Sequence, residues 1–197
     1  MKDLWYGDVR DLVKWGVLLH LAGESGAGRI LQVPYLRESA WGSLELDGQQ
    51  IPIPDAVIRH FRNVRSITTL ADDPRIELIT AHFDDRGRYT RLIMDSIADR
   101  PVGESCIVFL DPDTGLQPTR PKLEHVLDTE LRDIWEAMQP GDVLVFYQNQ
   151  TNRSGEPWIE AKRKQFEDAL GLVRGAAKVA QGRSIARDVA FFYCGRR

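Results

Sequence analysis

A chain of 197 residues with 43% hydrophobic content can bury one sizeable core, and a net charge of −3 excludes a protein that coats nucleic acid through bulk charge alone. Two cysteines are too few for a disulfide framework or a cysteine-built zinc site, so Cys106 and Cys194, in or beside apolar runs, are expected as buried thiols. No apolar span approaches membrane-crossing length and no secretory pattern follows the first residues, so one soluble, cytoplasmic α/β domain over 1–197 is expected, with no membrane partner.

Residues 8–22 read as an amphipathic helix, with Leu12, Trp15, Leu18, Leu19 and Ala22 on one stripe, Asp8 as N-cap and Gly23 as stop. Asp11 and Lys14, three apart, are expected to pair at the surface. A glycine-rich turn over 23–28 leads into a first strand, 29–33. Those glycines precede the strand, whereas a phosphate cradle needs them after it, and Pro34-Tyr-Leu-Arg-Glu-Ser39 contains none. Asp47-Gly48 between alternating apolar residues predicts a hairpin, 40–53, inserted beside the pocket mouth. Pro54 opens a helix over 55–63 with Ala56, Val57, Phe61 and His60 inward, while Arg59, Arg62 and Arg65 form a solvated face or a basic edge. A strand over 75–81 ends in the polar run His82–Arg86, and a helix follows over 88–99 with Leu92, Ile93 and Ile97 on its apolar side.

The centre of the chain is Cys106-Ile-Val-Phe-Leu-Asp-Pro-Asp-Thr-Gly-Leu116. Five apolar residues of strand-forming type mark a strand buried on both faces, and it stops at Asp111 and Asp113, which places two carboxylates at the end of a strand where open α/β sheets bind ligands. The same residues also suit a plain turn. The loop 117–125 above it offers Arg120, Lys122 and His125, the last able either to contact a ligand or to cap a turn. A helix over 128–138 buries Leu131, Ile134, Trp135 and Met138. A second buried strand, 143–147, ends in Tyr147, Gln148 and Asn149, three polar groups expected to bind substrate. A helix to Leu170 carries Lys162, Arg163 and Lys164 on its outer side, either solvated or, with Arg153, facing a phosphodiester chain. The runs 175–180 and 188–193 are spaced to pair antiparallel. The expected fold is therefore α/β, a Rossmann-like three-layer sandwich with a mostly parallel sheet and an antiparallel C-terminal hairpin.

That order resembles the Rossmann-like S-adenosylmethionine-dependent methyltransferases. Leu110-Asp111-Pro112-Asp113 is similar to the Asp-Pro-Pro-aromatic motif of amino-group methyltransferases. Gly7-Asp-Val-Arg-Asp-Leu-Val-Lys-Trp15 resembles the first helix of ribosomal-RNA adenine-N6 methyltransferases without a separate target domain. The layout also resembles a group of bacterial and phage proteins with a Leu-Asp-Pro-Asp-x-Gly-Leu core. The resemblance implies methyl transfer from S-adenosylmethionine to a nucleic-acid amine: Asp111 would hold the amine, Lys14 and Asp8 would lie at the cofactor, and Asp84 near its adenine. Asp113 stands where the motif has its second proline and Thr114 where it has an aromatic. Two alternatives stay open. One is a metal-dependent phosphodiester hydrolase in which Asp111 and Asp113, with Asp8 or Asp84, offer hard oxygen ligands to Mg²⁺ or Mn²⁺. The other is a noncatalytic binding domain on the same scaffold.

Overall fold

The computed structural model describes residues 7–37, 42–46, 48–61, 64–150 and 157–197. Helix α1 (Val9–Ser25) starts as its sequence dictates: the Asp8 side chain accepts the N–H groups of Arg10 and Asp11, and Asp11 returns a carboxylate oxygen to the Asp8 N–H. It runs past Gly23 and stops at Gly26, whose φ of 67° supplies the left-handed turn that ends a helix. Strand β1 (Arg29–Val33) follows, then the antiparallel pair β2 (Ser43–Leu46) and β3 (Gln49–Pro52). That pair is the expected hairpin, although Asp47 of its turn lies outside the described residues. Next come α2 (Asp55–Phe61), a 3-10 helix (Val64–Thr69), β4 (Arg75–Leu78), α3 (Arg86–Ala98) and β5 (Cys106–Leu110). Two short strands, β6 (Gly115–Leu116) and β7 (His125–Val126), frame the loop between them, a parallel pair too brief to show in the sequence pattern. Helix α4 (Asp128–Ala137), β8 (Val143–Asn149), α5 (Ile159–Leu170), β9 (Lys178–Gly182) and β10 (Ala186–Gly195) complete the chain.

Six strands form one sheet in the order β4-β1-β5-β8-β10-β9. All run parallel except β10, which is antiparallel to both of its neighbours. Helices α3, α4 and α5 cover one face through Ile93, Leu131, Ile134 and Phe166. On the other face lie α1 and the 3-10 helix, through Trp15, Leu18, Leu21 and Ile67. The result is the expected Rossmann-like three-layer sandwich, with the C-terminal hairpin inserting its second strand between β8 and β9. Both free cysteines are buried, as expected. Among the described residues no helix is long and apolar enough to cross a membrane.

The chain steps outward from β1 to β4, then crosses back to β5 on the other side of β1. The winding therefore reverses between β1 and β5, which makes their carboxyl ends the topological switch point. Register keeps these ends level: Val33 lies opposite Leu110, and Leu110 opposite Phe146.

Three packing expectations change. Leu12 is 65% exposed, while Asp11, Val13 and Lys14 are buried, because α1 is turned to aim Lys14 into the sheet. Close approach of Val13 to β9 fixes that rotation, and a Cβ at Gly182 would stand 2.6 Å from a Val13 methyl carbon. Ala56 and Val57 face solvent instead of the core, since α2 stands off the sheet. Leu92 lies at the surface, and Tyr89 takes its place beside Ile93 and Ile97.

Candidate functional site

Alternation along the strands sends Ile30, Gln32, Phe109, Asp111 and Tyr147 toward the α1 face. Asp111 directly follows the last residue of β5, and its backbone N–H donates to Val33 O of β1 at 2.9 Å. It is 2% exposed. Lys14 Nζ, one helix away, donates to Asp111 Oδ2 at 2.9 Å and lies 3.1 Å from Asp11 Oδ1. The same ammonium stands 4.6 Å from the centre of the Tyr147 ring. Gln32 Nε2 donates to Asp111 Oδ2 at 3.1 Å. Asp11 and Lys14 are thus a buried pair, not the surface pair their spacing suggests.

The electrostatics follow from burial. Desolvation alone would lower the Lys14 ammonium, but the charges of Asp111 and Asp11 more than offset it and hold the pKa above the ordinary lysine value. Burial lifts the Asp111 carboxyl above its ordinary value; Lys14 opposes the rise, and the like charge of Asp11 adds to it. Burial also pushes the Tyr147 phenol up.

Two acceptors in this group take no hydrogen bond from the described residues. Both hydrogen bonds to the Asp111 carboxylate among the described residues land on Oδ2, leaving Oδ1 unused. Gln32 Oε1 is buried and has no partner among the described residues. An unsatisfied buried acceptor costs about 1–3 kcal/mol, so such an atom in a native core calls for a ligand or a water.

The other expected residues divide. Tyr147 and Asn149 belong to the group: Tyr147 Oη donates to Asn149 Oδ1 at 2.8 Å, and Asn149 Nδ2 donates to Asp113 O at 2.6 Å. Gln148 points to the opposite face, where its amide binds Leu116 N–H at 2.8 Å and Thr114 O at 3.1 Å. Gly115 makes that possible, because a Cβ there would occupy the space of the Gln148 amide. His125 Nδ1 accepts the Lys122 N–H at 3.1 Å, the turn-capping role. Asp8 caps α1. Asp84 is exposed, paired with Arg88 one helical turn on, and no interaction among the described residues joins it to Asp111. The Asp113 side chain pairs with Arg37, which also lies 3.7 Å from Glu124.

This arrangement does not fit a divalent ion. Asp111, Asp113 and Asp84 each face a different cationic side chain and Asp8 is spent on capping, and among the described residues no group of three His, Cys, Asp or Glu could hold a metal. Nor does a glycine cradle follow β1. Tyr35 holds a φ of 49° there, its N–H donating to Tyr89 Oη at 3.1 Å and its ring 5.1 Å from Phe83. These aromatics belong to the α3-side core, so the α1 side of the switch point is left to the polar group.

Sequence reasoning missed Gln32 and the burial of Asp11. Gln32 carried a signal, a lone amide inside the otherwise apolar Ile30-Leu-Gln-Val33, since buried polar residues are the informative exceptions in a strand.

No family model matches the chain, and no curated protein matches its sequence. Among solved structures it is similar to a Thermobifida fusca YX protein described as a "putative methyltransferase", at 16% identity and a TM-score of 0.45, over 96% of this chain and 80% of that one. A likeness at that level places no residue. Strand order and side-chain geometry define the class: a Rossmann-like α/β protein with a buried cation–carboxylate group at its switch point.

Proposed function

We propose that the protein is an S-adenosylmethionine-dependent methyltransferase acting on a nucleic-acid amine. The observation that supports this reading best is the pair of acceptors, Asp111 Oδ1 and Gln32 Oε1, that take no hydrogen bond from the described residues, beside an ammonium fixed on Asp111 Oδ2. When bound, S-adenosylmethionine supplies an electrophilic methyl group on a sulfonium. Gln32 and Lys14 are the residues that would hold it, Gln32 Oε1 accepting from its ammonium group. Asp111 Oδ1 accepts an N–H of the target amine and so directs the nitrogen lone pair. Lys14 keeps the carboxylate from rotating by occupying Oδ2. Burial raises the proton affinity of Asp111, which suits Oδ1 to take up the proton that the amine sheds on transfer. Tyr147 and Asn149 line the same side of the sheet and take the place of the motif's missing aromatic at the edge of the amine site.

Isothermal titration with S-adenosylmethionine tests the cofactor, and transfer of its radiolabelled methyl to total bacterial RNA or DNA tests the reaction. Binding is expected in the wild type and in Asp111→Asn, with transfer about 10²–10³-fold slower in the variant, the usual cost of one preorganised interaction with the reacting group. A wild type that gives no heat at millimolar ligand overturns the reading.

A further inference from the structure

The buried group beyond β5 is unequal in charge. Lys14 Nζ is shared between Asp111 Oδ2 at 2.9 Å and Asp11 Oδ1 at 3.1 Å, and the side chains of Lys14, Asp11 and Asp111 are 7%, 9% and 2% exposed. One buried ammonium thus serves two buried carboxylates. Asp11 is the better served of the two. Its Oδ2 accepts the Gly7 N–H at 2.6 Å and the Asp8 N–H at 3.3 Å, and the amino end of α1 favours its anion as well. The shortfall therefore falls on Asp111. Every other buried carboxylate among the described residues is matched: Asp142 by Arg100, Glu130 by Arg86, and Glu167 by the N–H groups of Gly175 and Ala177.

The surroundings do not make up the difference. The charge of Arg10 is felt at the Tyr147 phenol, as that of Lys14 is, but Arg10 is itself shared between Asp8 and Asp188. Arg37 is shared in the same way between Asp113 and Glu124. Residues 1–6 bring Lys2 and the α-amino group against Asp3, one net positive charge, which does not level a ratio of two acids to each cation in three groups. The atoms that take no hydrogen bond from the described residues, Asp111 Oδ1 and Gln32 Oε1, are both acceptors, and Gln32 is 3% exposed. What this group lacks is therefore positive charge together with N–H donors. A buried charge without full compensation is costly, and a cationic ligand removes that cost.

We infer that Asp11 is a positioning residue whose charge makes the site prefer a cationic ligand to its neutral counterpart, so that S-adenosylmethionine binds more tightly than S-adenosylhomocysteine. The inference rests on the methyltransferase reading for the identity of the ligand. It also bears on product release. In transfer the carbon–sulfur bond breaks, the carbon–nitrogen bond forms, and the positive charge passes from sulfur to the amine nitrogen beside Asp111. Once that nitrogen gives its proton to Asp111 Oδ1, both products are neutral at the reacting atoms and the charge no longer holds them. Asp11 acts through Lys14: by taking a share of the ammonium it leaves Asp111 short of compensation.

Isothermal titration of the full chain with S-adenosylmethionine, S-adenosylhomocysteine and an analogue carrying a protonated amine in place of the sulfonium is the test. The wild type is expected to bind both cationic ligands about tenfold more tightly than S-adenosylhomocysteine, the order of effect of one unit charge a few ångströms away in a protein interior. Asp11→Asn keeps a carbonyl oxygen for the N–H groups of the cap and removes the charge; it is expected to bring the ligands within about threefold of one another, mainly by weakening the cationic pair. Asp11→Glu is expected to keep the preference. A wild type that binds S-adenosylhomocysteine as tightly as S-adenosylmethionine overturns the inference and leaves the methyltransferase reading standing. So does an Asp11→Asn variant that weakens all three ligands equally or none, since a residue that only caps α1 would not discriminate by charge. No heat from any of the three removes the methyltransferase reading, and this inference with it.

Discussion

Strand β5 has a buried ion pair at each end, and the two are built differently. At its amino end Arg100 donates to both oxygens of Asp142, at 2.6 and 2.7 Å. Cys106 N–H and Gln139 N–H complete that carboxylate at 3.0 and 2.8 Å. Each oxygen takes two bonds, and the side chains are 2% and 1% exposed. At the carboxyl end Asp111 is equally buried, yet one oxygen takes both bonds and the other takes none among the described residues. A saturated carboxylate has no capacity left for a ligand and serves to clamp β5 to the turns beside it. An unsaturated one next to an orphaned amide is a poor fastener and a good receptor.

Replacing each acid sharpens that contrast. Asp142→Ala leaves the Arg100 guanidinium buried without its partner and is expected to cost about 3–5 kcal/mol in urea unfolding, the usual penalty for breaking a buried pair. Asp111→Asn keeps the shape of the side chain and leaves the buried Lys14 ammonium to Asp11 alone, so it is expected to cost less than Asp142→Ala, about 1–3 kcal/mol. Equal destabilisation at the two ends would break the comparison.

A second effect, smaller at neutral pH and distinctive in its pH course, concerns Lys14. Its pKa is raised in the folded state, so its contribution is fully present below the unfolded value of about 10.4 and is lost as pH rises through the higher folded value. The stability difference between wild type and Lys14→Met is therefore expected to stay level from neutral pH up to about pH 10 and to shrink above it. A difference that vanishes near neutrality would mean that Lys14 is not held as an ammonium.

The smallest effect lies in the thiols. Burial pushes Cys106 up to about 11 and Cys194 up to about 12, so neither forms thiolate at neutral pH. A thiol reagent is expected to titrate both only after denaturation. Rapid labelling of Cys106 in the native protein would show that the clamped end of β5 opens.

Much of this was legible from residue order. The apolar runs 106–110 and 143–147 read as strands buried on both faces, and Asp8 starts α1 by a local rule that needs no tertiary partner, whereas the helix ends at Gly26 and not at the expected Gly23. The stripe on α1 was less legible, because hydrophobic periodicity weighs Leu12 above Lys14 and cannot register that a charge 97 residues away draws the lysine inward. Asp84, Gln148 and His125 share one lesson. A polar residue at the end of a strand can serve a cap, a turn or a loop as readily as a ligand, and each of these three has a local partner that claims it.

Residue order by itself determined the alternation of strands and helices, the antiparallel ending and the placing of Asp111 at a strand terminus, since period, turn chemistry and run length are local properties. Only the tertiary structure decided that Lys14 and Gln32 meet on one oxygen of Asp111, while Asp113 turns to Arg37. The reason is the winding of the sheet. Which strands become neighbours, and which helix closes over their ends, depends on packing the two faces of the core, and that packing sums over the whole chain.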